Sequence, residues 1–340
     1  MSHYGPVLRA IRVCLICVMA MMMLLCGMTV AVVRPDLLMK SGVIAQPPVK
    51  NPATESGISG WTPPDTSAIP HTPDGDLIRY GYNLVSHTSA YLGPDGSVKT
   101  ISNGMNCQNC HLDAGTRPFG NNYAAVASTY PRFRPRSGTV ESVEKRVNDC
   151  IQRSLNGKPL DHEDMEMKAF VAYIIWVGQS VPKGSIPEST GISAPAFLDR
   201  PADPDKGRIV YEIYCMRCHG TNGEGVMAEN GTEWKYPPLF GNESYNTGAG
   251  LYRLSRFAGF VKYNMPFDIV PITGPVLTDE EAWDVAAFVN SQARPSKNFS
   301  KDWPDISTKP FDHPFGPFAD GYTESQHKYG PFKNMMKKKG

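Results

Sequence analysis

The chain has 340 residues and a formal net charge of +1, from 34 Lys+Arg against 33 Asp+Glu. A charge so close to balance gives no electrostatic case for nucleic acid as a partner. The length accommodates two domains plus extensions, and 30 prolines with 31 glycines point to long irregular stretches around them.

Residues 13–33, VCLICVMAMMMLLCGMTVAVV, carry no charge. Such a run is long enough to cross a bilayer, and Arg9 and Arg12 before it keep the N-terminus cytoplasmic. The competing reading is a cleaved signal peptide ending at Thr29-Val30-Ala31. Both readings export the rest of the chain. They predict a protein on the periplasmic side of a bacterial inner membrane when anchored, or in the soluble periplasm when cleaved. Residues 34–73 contain QPPVKNP and WTPPD and read as an extended tether.

Helical patterns begin near Asp74, where Leu77, Ile78, Tyr82 and Val85 fall near helical spacing. The stretch MNCQNCHLDAG follows, with Cys107, Cys110 and His111. A second helix is predicted over residues 140–155, with Val140, Val143, Val147 and Ile151 on one face and Asn156-Gly157 as its stop. A third is predicted over residues 165–177, MEMKAFVAYIIWV. Periodicity then breaks, and residues 183–203 read as a linker. DKGRIVYEIYCMRCHG resumes with a helix running into Cys215, Cys218 and His219. Two more helices are predicted, in SRFAGFVKYNMPF and in TDEEAWDVAAFVNSQ, where Thr278 and Glu281 have capping-box spacing. The sequence therefore divides into residues 1–33, 34–73, a first domain 74–182, the linker 183–203, a second domain 204–294 and an extension 295–340. The extension is rich in Pro and Phe and is expected to wrap over the second domain and then become disordered.

A C-x-x-C pair serves zinc, dithiol redox chemistry or covalent haem. More than a hundred residues separate the two pairs here, which disfavours a shared zinc, and no βαβ pattern surrounds either pair. In each case a histidine follows the second cysteine at once. One helical turn presents two sulfurs to one haem edge, and the next residue then reaches the iron. Cys107, Cys110, Cys215 and Cys218 are thus read as attachment points of two covalent haem c groups, with His111 and His219 as proximal iron ligands. The fold class that follows is all-α, with two cytochrome c-like domains in tandem.

For the second haem the distal candidate is Met265 in KYNMPF, and a His/Met pair raises the reduction potential, as suits an electron exit. For the first haem the residues alone leave Cys150, His162, Met165 and Met167 open. Cys150 shares a helix face with Val143, Val147 and Ile151, yet Arg146, Arg153 and Ser154 lie about one turn away, and Arg132, Arg134, Arg136 and Arg117 occur upstream. A core cysteine needs no such cations, whereas a thiolate beside an anionic substrate does.

NGMNCQNCHLDAGTRPFGNNY, RVNDCIQRSLNGKPL and FVKYNMPF together resemble the thiosulfate dehydrogenase family of dihaem cytochromes c. The resemblance covers most of residues 75–290. It implies His111/Cys150 ligation of the first haem and His219/Met265 ligation of the second. It also implies oxidative coupling of two thiosulfates to tetrathionate, run in reverse by some members, with Lys262 and Asn264 in places thought to bias direction. A small cytochrome c or another periplasmic or membrane carrier would take the electrons. Coupling two dianions means overcoming several kcal/mol of repulsion, and arginines grip oxyanions bidentately. Arg136 and Arg146 are the first choices for that task, Arg117 and Arg153 stand behind them, and Ser154 is a hydroxyl donor to a sulfonate.

Three other readings are weighed against this one. A membrane-anchored dihaem electron carrier explains both haems but not a cysteine among arginines. A dihaem peroxidase needs an acidic calcium loop that the sequence lacks. A haem subunit of a larger sulfur-oxidising complex would depend on a partner protein to carry its substrate.

Overall fold

The computed structural model describes residues 61–336 together with residues 18, 19, 21 and 22. The chain divides into two units, residues 1–49 and 50–340. The four described residues of the first unit are helical and exposed. The rest of the apolar segment 13–33 and the tether up to residue 60 lie outside the described residues. Among the described residues no helix is long and apolar enough to cross a membrane.

Among the described residues of the second unit, six longer helices organise the fold: α1 (Pro73–Ser86), α2 (Val143–Arg153), α3 (Met165–Val177), α4 (Pro204–Tyr214), α5 (Leu254–Asn264) and α6 (Asp279–Ser291). Two antiparallel hairpins accompany them. In one, β1 (Arg132–Arg134) pairs with β2 (Thr139–Glu141), and in the other β3 (Val226–Met227) pairs with β4 (Trp234–Tyr236). Helix starts follow capping chemistry. The side chains of Thr72, Ser142, Asp203 and Thr278 each accept a backbone N–H of the first turn, and Thr278 with Glu281 forms the full capping box.

The same helix crossing occurs twice. α1 packs on α3, and α4 packs on α6. Each crossing is made close by a mid-helix glycine. A Cβ on Gly81 would stand 2.0 Å from the Ala169 carbonyl oxygen, and one on Gly207 would stand 1.9 Å from that of Asp284. Glycine inside a helix costs up to about 1 kcal/mol relative to alanine, and here the cost is offset by backbone-to-backbone packing that no side chain permits. One core gathers around Leu84, Phe170 and Tyr173, the other around Tyr211, Phe257 and Trp283. This is the tandem two-domain, helix-rich arrangement that the repeated motif predicts.

Two expectations are corrected. α2 starts at Val143, not at 140, because the left-handed Gly138 (φ 66°) turns the chain into the β1–β2 hairpin before Ser142 caps the helix. Val140 consequently sits on β2, 67% exposed. The extension is also not confined to the second domain. Phe332 and Met335 join that domain's core, but the Trp303 N–H donates to the Arg136 carbonyl (2.7 Å) and Asp302 pairs with Arg153 (2.8 Å), both in the first domain. The extension forms a strap across the two domains, with Met335 its last buried residue among those described.

Gly81→Ala is expected to lower the thermal midpoint by the equivalent of about 1–3 kcal/mol of overpacking. Gly321→Ala, where an added Cβ meets nothing within 4 Å, should leave the midpoint unchanged. Equal midpoints in a calorimetric scan of the two variants would contradict the close-crossing account.

Candidate active site

The first C-x-x-C-H stretch is one tight turn, with the His111 N–H donating to the Cys107 carbonyl (3.0 Å). Left-handed Asp113 and Ala114 (φ 52° and 54°) then reverse the chain, which brings the Asn121 carbonyl to His111 Nδ1 (2.6 Å). The second stretch repeats this geometry, with the His219 N–H on the Cys215 carbonyl (2.9 Å) and His219 Nδ1 on the Pro237 carbonyl (2.8 Å). A carbonyl held at Nδ1 fixes the ring and reserves Nε2 for a metal.

Each motif opens into its own cavity. Cys107, Cys110, His111 and Cys150 line one of about 260 Å³, walled by Val147, Ile151, Phe170 and Ile174. Cys215, Cys218, His219 and Met265 line the other, of about 170 Å³, walled by Phe257, Phe260 and Leu277. Burial pushes the thiols of Cys107, Cys110 and Cys215 up to about 12, so they are neutral groups in apolar surroundings, suited to thioether bonds. Two thiols, an oriented imidazole and a sulfur lining the same apolar cavity fit a covalent haem c in both places.

Of the four distal candidates for the first haem, only Cys150 lines its cavity. His162 is exposed, Met165 is 57% exposed, and Met167 is fully buried in the core. Cys150 also differs chemically from the attachment cysteines. Burial would raise its thiol, but Arg146 above all, then the His111 ring and Arg136, reverse this and hold it at about 6. Arg146 is in turn held more firmly charged, chiefly by Cys150.

Beside Cys150 a larger cavity of about 440 Å³ opens, lined by Arg134, Arg136, Arg146 and Ser154 of the first domain. Arg136 is fixed by Asp149 (2.9 Å), which Lys145 also binds (2.7 Å). Asp149 is only 5% exposed; burial would raise its carboxyl, but Lys145 and Arg136 hold it below the usual range. Arg134 lies 3.9 Å from buried Glu141. The sequence-predicted Arg117 is not in this cavity. It pairs with Asp113 (2.8 Å) and stacks over Phe267 (4.6 Å) beside the Met265 loop. Arg153, also favoured from sequence, is buried against Asp302 and anchors the strap. Lys262 is ion-paired with Asp279, and the Asn264 amide donates to the carbonyls of Phe260 (3.2 Å) and of Phe119 in the first domain (3.4 Å). Sequence reasoning missed Arg253, Arg256, Trp303 and His313, which line the same cavity from the second domain and the strap. No local pattern marks them, since only the tertiary fold brings them there.

Comparison with known proteins assigns residues 97–182 to the family described as SoxA/TsdA, cytochrome c domain. Residues 202–289 match the family described as cytochrome C oxidase, cbb3-type, subunit III. The chain is 36% identical over 255 residues to a thiosulfate dehydrogenase of Psychrobacter arcticus, covering 74% of each chain. It is 35% identical over 247 residues to that of Allochromatium vinosum, covering 72% of this chain and 87% of the relative. Among solved structures, the thiosulfate dehydrogenase TsdBA of Marichromatium purpuratum in its as-isolated form matches with a TM-score of 0.65 and 28% identity, over 82% of this chain and 57% of that one.

Met265→His is expected to keep both haems attached and to lower the reduction potential of one centre only, measured by spectroelectrochemical titration. An unchanged titration would remove Met265 from the distal position.

Proposed function

The chain belongs to the thiosulfate dehydrogenase family and carries two covalently bound c-type haems, and from that premise we propose that it oxidises thiosulfate by joining two molecules into tetrathionate at Cys150. The observation that carries this reading is that Cys150 lines both the first motif's cavity, opposite His111, and the neighbouring cavity with Arg136, Arg146 and Ser154, where Arg146, His111 and Arg136 hold its thiol down to about 6 against desolvation. When bound, the haems supply one-electron acceptor sites that take up the two electrons released and relay them outward.

The chain's own residues do the rest. Cys107 and Cys110 would hold the first haem by thioether bonds, and His111 and Cys150 would bind its iron. Cys215 and Cys218 would hold the second, with His219 and Met265. Arg146 and Arg136 bind the sulfonate oxygens of the first thiosulfate, and Ser154 donates a hydrogen bond to it. Asp149 keeps Arg136 in place. The Cys150 thiolate forms a sulfur–sulfur bond with the outer sulfur of this thiosulfate, and two electrons leave. The outer sulfur of a second thiosulfate then forms a bond to that same sulfur, and the cysteine–sulfur bond breaks to return the Cys150 thiolate. Atoms and charge balance: two dianions enter, one dianion and two electrons leave, and the thiolate is regenerated.

The displacement needs no net redox change and is chemically reversible, so tetrathionate reduction by the same route is part of the proposal. The electrons would pass to a small cytochrome c or another periplasmic or membrane carrier. Periplasmic placement is supported by the apolar N-terminal segment and by covalent haem attachment, which bacteria perform outside the cytoplasm.

Cys150→Ala is expected to retain both haems, seen by haem staining and by the mass of the protein, and to lose essentially all thiosulfate-dependent acceptor reduction. Wild-type rates in that variant would remove Cys150 from the reaction.

A further inference from the structure

Five arginines line the cavity beside Cys150: Arg134, Arg136, Arg146, Arg253 and Arg256. Three have carboxylates nearby. Asp149 binds Arg136 (2.9 Å), Glu141 lies 3.9 Å from Arg134, and Asp312 binds Arg253 (2.6 Å). Arg146 and Arg256 have no ion pair among the described residues. Arg146 is already committed, because it faces the Cys150 thiolate and the first thiosulfate. The second thiosulfate brings two more negative charges into the same space. Among the described residues lining the cavity, the arginine left to meet it is Arg256, on α5 of the other domain, where it both lines the cavity and reaches solvent.

The neighbourhood of Arg256 is built with care. Asp312 of the strap, 1% exposed, accepts from Arg253 and from the Ser255 N–H (3.1 Å) and hydroxyl (2.5 Å). It therefore fixes the start of α5 on both sides of Leu254 and sets the direction in which Arg256 leaves the helix. The next strap residue, His313, is 5% exposed and lines the cavity. Its ring packs edge-on against Trp303 (4.2 Å) and Phe299 (5.1 Å); the Phe315 backbone lies close to the ring, but Nδ1 has no hydrogen bond of good geometry among the described residues. A buried ring nitrogen without a partner is costly unless a ligand uses it.

Resting on the reading of Cys150 as the sulfur carrier, we propose that Arg256 and His313 form a second oxyanion subsite. It would bind the sulfonate of the incoming thiosulfate, which becomes the outer sulfonate of tetrathionate, and it is completed only by the strap. The first subsite, at Arg146, Arg136 and Ser154, loads the cysteine, and the second delivers the thiolate-like outer sulfur to the loaded one. The two subsites come from different domains, so the negative charge of the two molecules is shared between cations that are not all crowded around one of them.

The test uses full-length holoprotein and separates the two halves of turnover. Arg256→Gln is expected to raise the KM for thiosulfate on the order of 10- to 100-fold, the loss of a charge-assisted hydrogen bond to an oxyanion. After a few equivalents of thiosulfate and an artificial oxidant, enough for the wild type to load and discharge, Cys150 of this variant should stay loaded with one thiosulfate, as read by intact mass, because the displacing molecule is poorly held. Arg256→Lys should recover part of the KM. His313→Phe should raise the KM in the direction of Arg256→Gln, and His313→Gln, which keeps a donor, should recover only part of that loss. Wild-type KM and no retained adduct in Arg256→Gln, with Cys150→Ala inactive, would overturn the second subsite alone. An active Cys150→Ala would overturn the carrier reading and this subsite with it.

Discussion

Holding the Cys150 sulfur beside Arg146, in the same cavity as the first C-x-x-C-H motif, is the constraint around which this protein is arranged. Removing a thiolate from water is costly, and burial at Cys150 acts in that direction. Arg146, one helical turn earlier on α2, is the principal counterweight, and Cys150 in turn is the main group that holds Arg146 charged. Everything that orients α2 therefore bears on the chemistry. The Ser142 cap starts the helix. Val143, Val147 and Ile151 press one face into the core, and Arg153 at its end is held by the strap through Asp302. The attachment cysteines, buried without a cation to match, are neutral. The same element thus does two kinds of work in one cavity, and the difference is set by where the arginines sit.

The second physical theme is sharing between domains. Each cytochrome c-like unit has its own core and its own glycine-mediated helix crossing, which makes the two resemble separate modules. The contacts between them concentrate near the cofactor cavities. Asn264, next to Met265, donates to Phe119 of the first domain, Arg117 covers Phe267, and the strap closes the arginine cavity with Trp303 and His313. Under the proposed coupling of two dianions, arginines from both domains around one cavity would share the charge that must be brought together.

Much of this was legible in the sequence because it is local. Haem attachment follows from five consecutive residues at each motif, and the helix boundaries at Met165–Val177 and Asp279–Ser291 follow from apolar runs and caps. Arg136, Arg146, Cys150 and Ser154, all within the β1–α2 stretch, line one cavity because helical and hairpin geometry brings sequence neighbours together. What failed was non-local. Arg117 is close in sequence to the first motif, but the left-handed residues Asp113 and Ala114 turn the chain and carry it towards the second domain's loop. Arg153 lies a turn past Cys150, where its charge is taken by Asp302, a residue from a segment with no periodicity at all. The role of the strap had no sequence signature, because its packing depends on individual aromatic contacts such as Tyr252 on Phe315 (5.7 Å) and not on a repeating face. The apolar segment 13–33 lies almost wholly outside the described residues.

The most direct test of the central claim is an electron paramagnetic resonance spectrum of the oxidised holoprotein, compared with that of Cys150→Ala. The account predicts two low-spin ferric signals in the wild-type protein, one with the narrow anisotropy of histidine/thiolate ligation, and the loss of that signal alone in the variant. A wild-type spectrum with no thiolate-ligated component, or one unchanged by the substitution, would contradict the placement of the Cys150 sulfur at the first haem's iron.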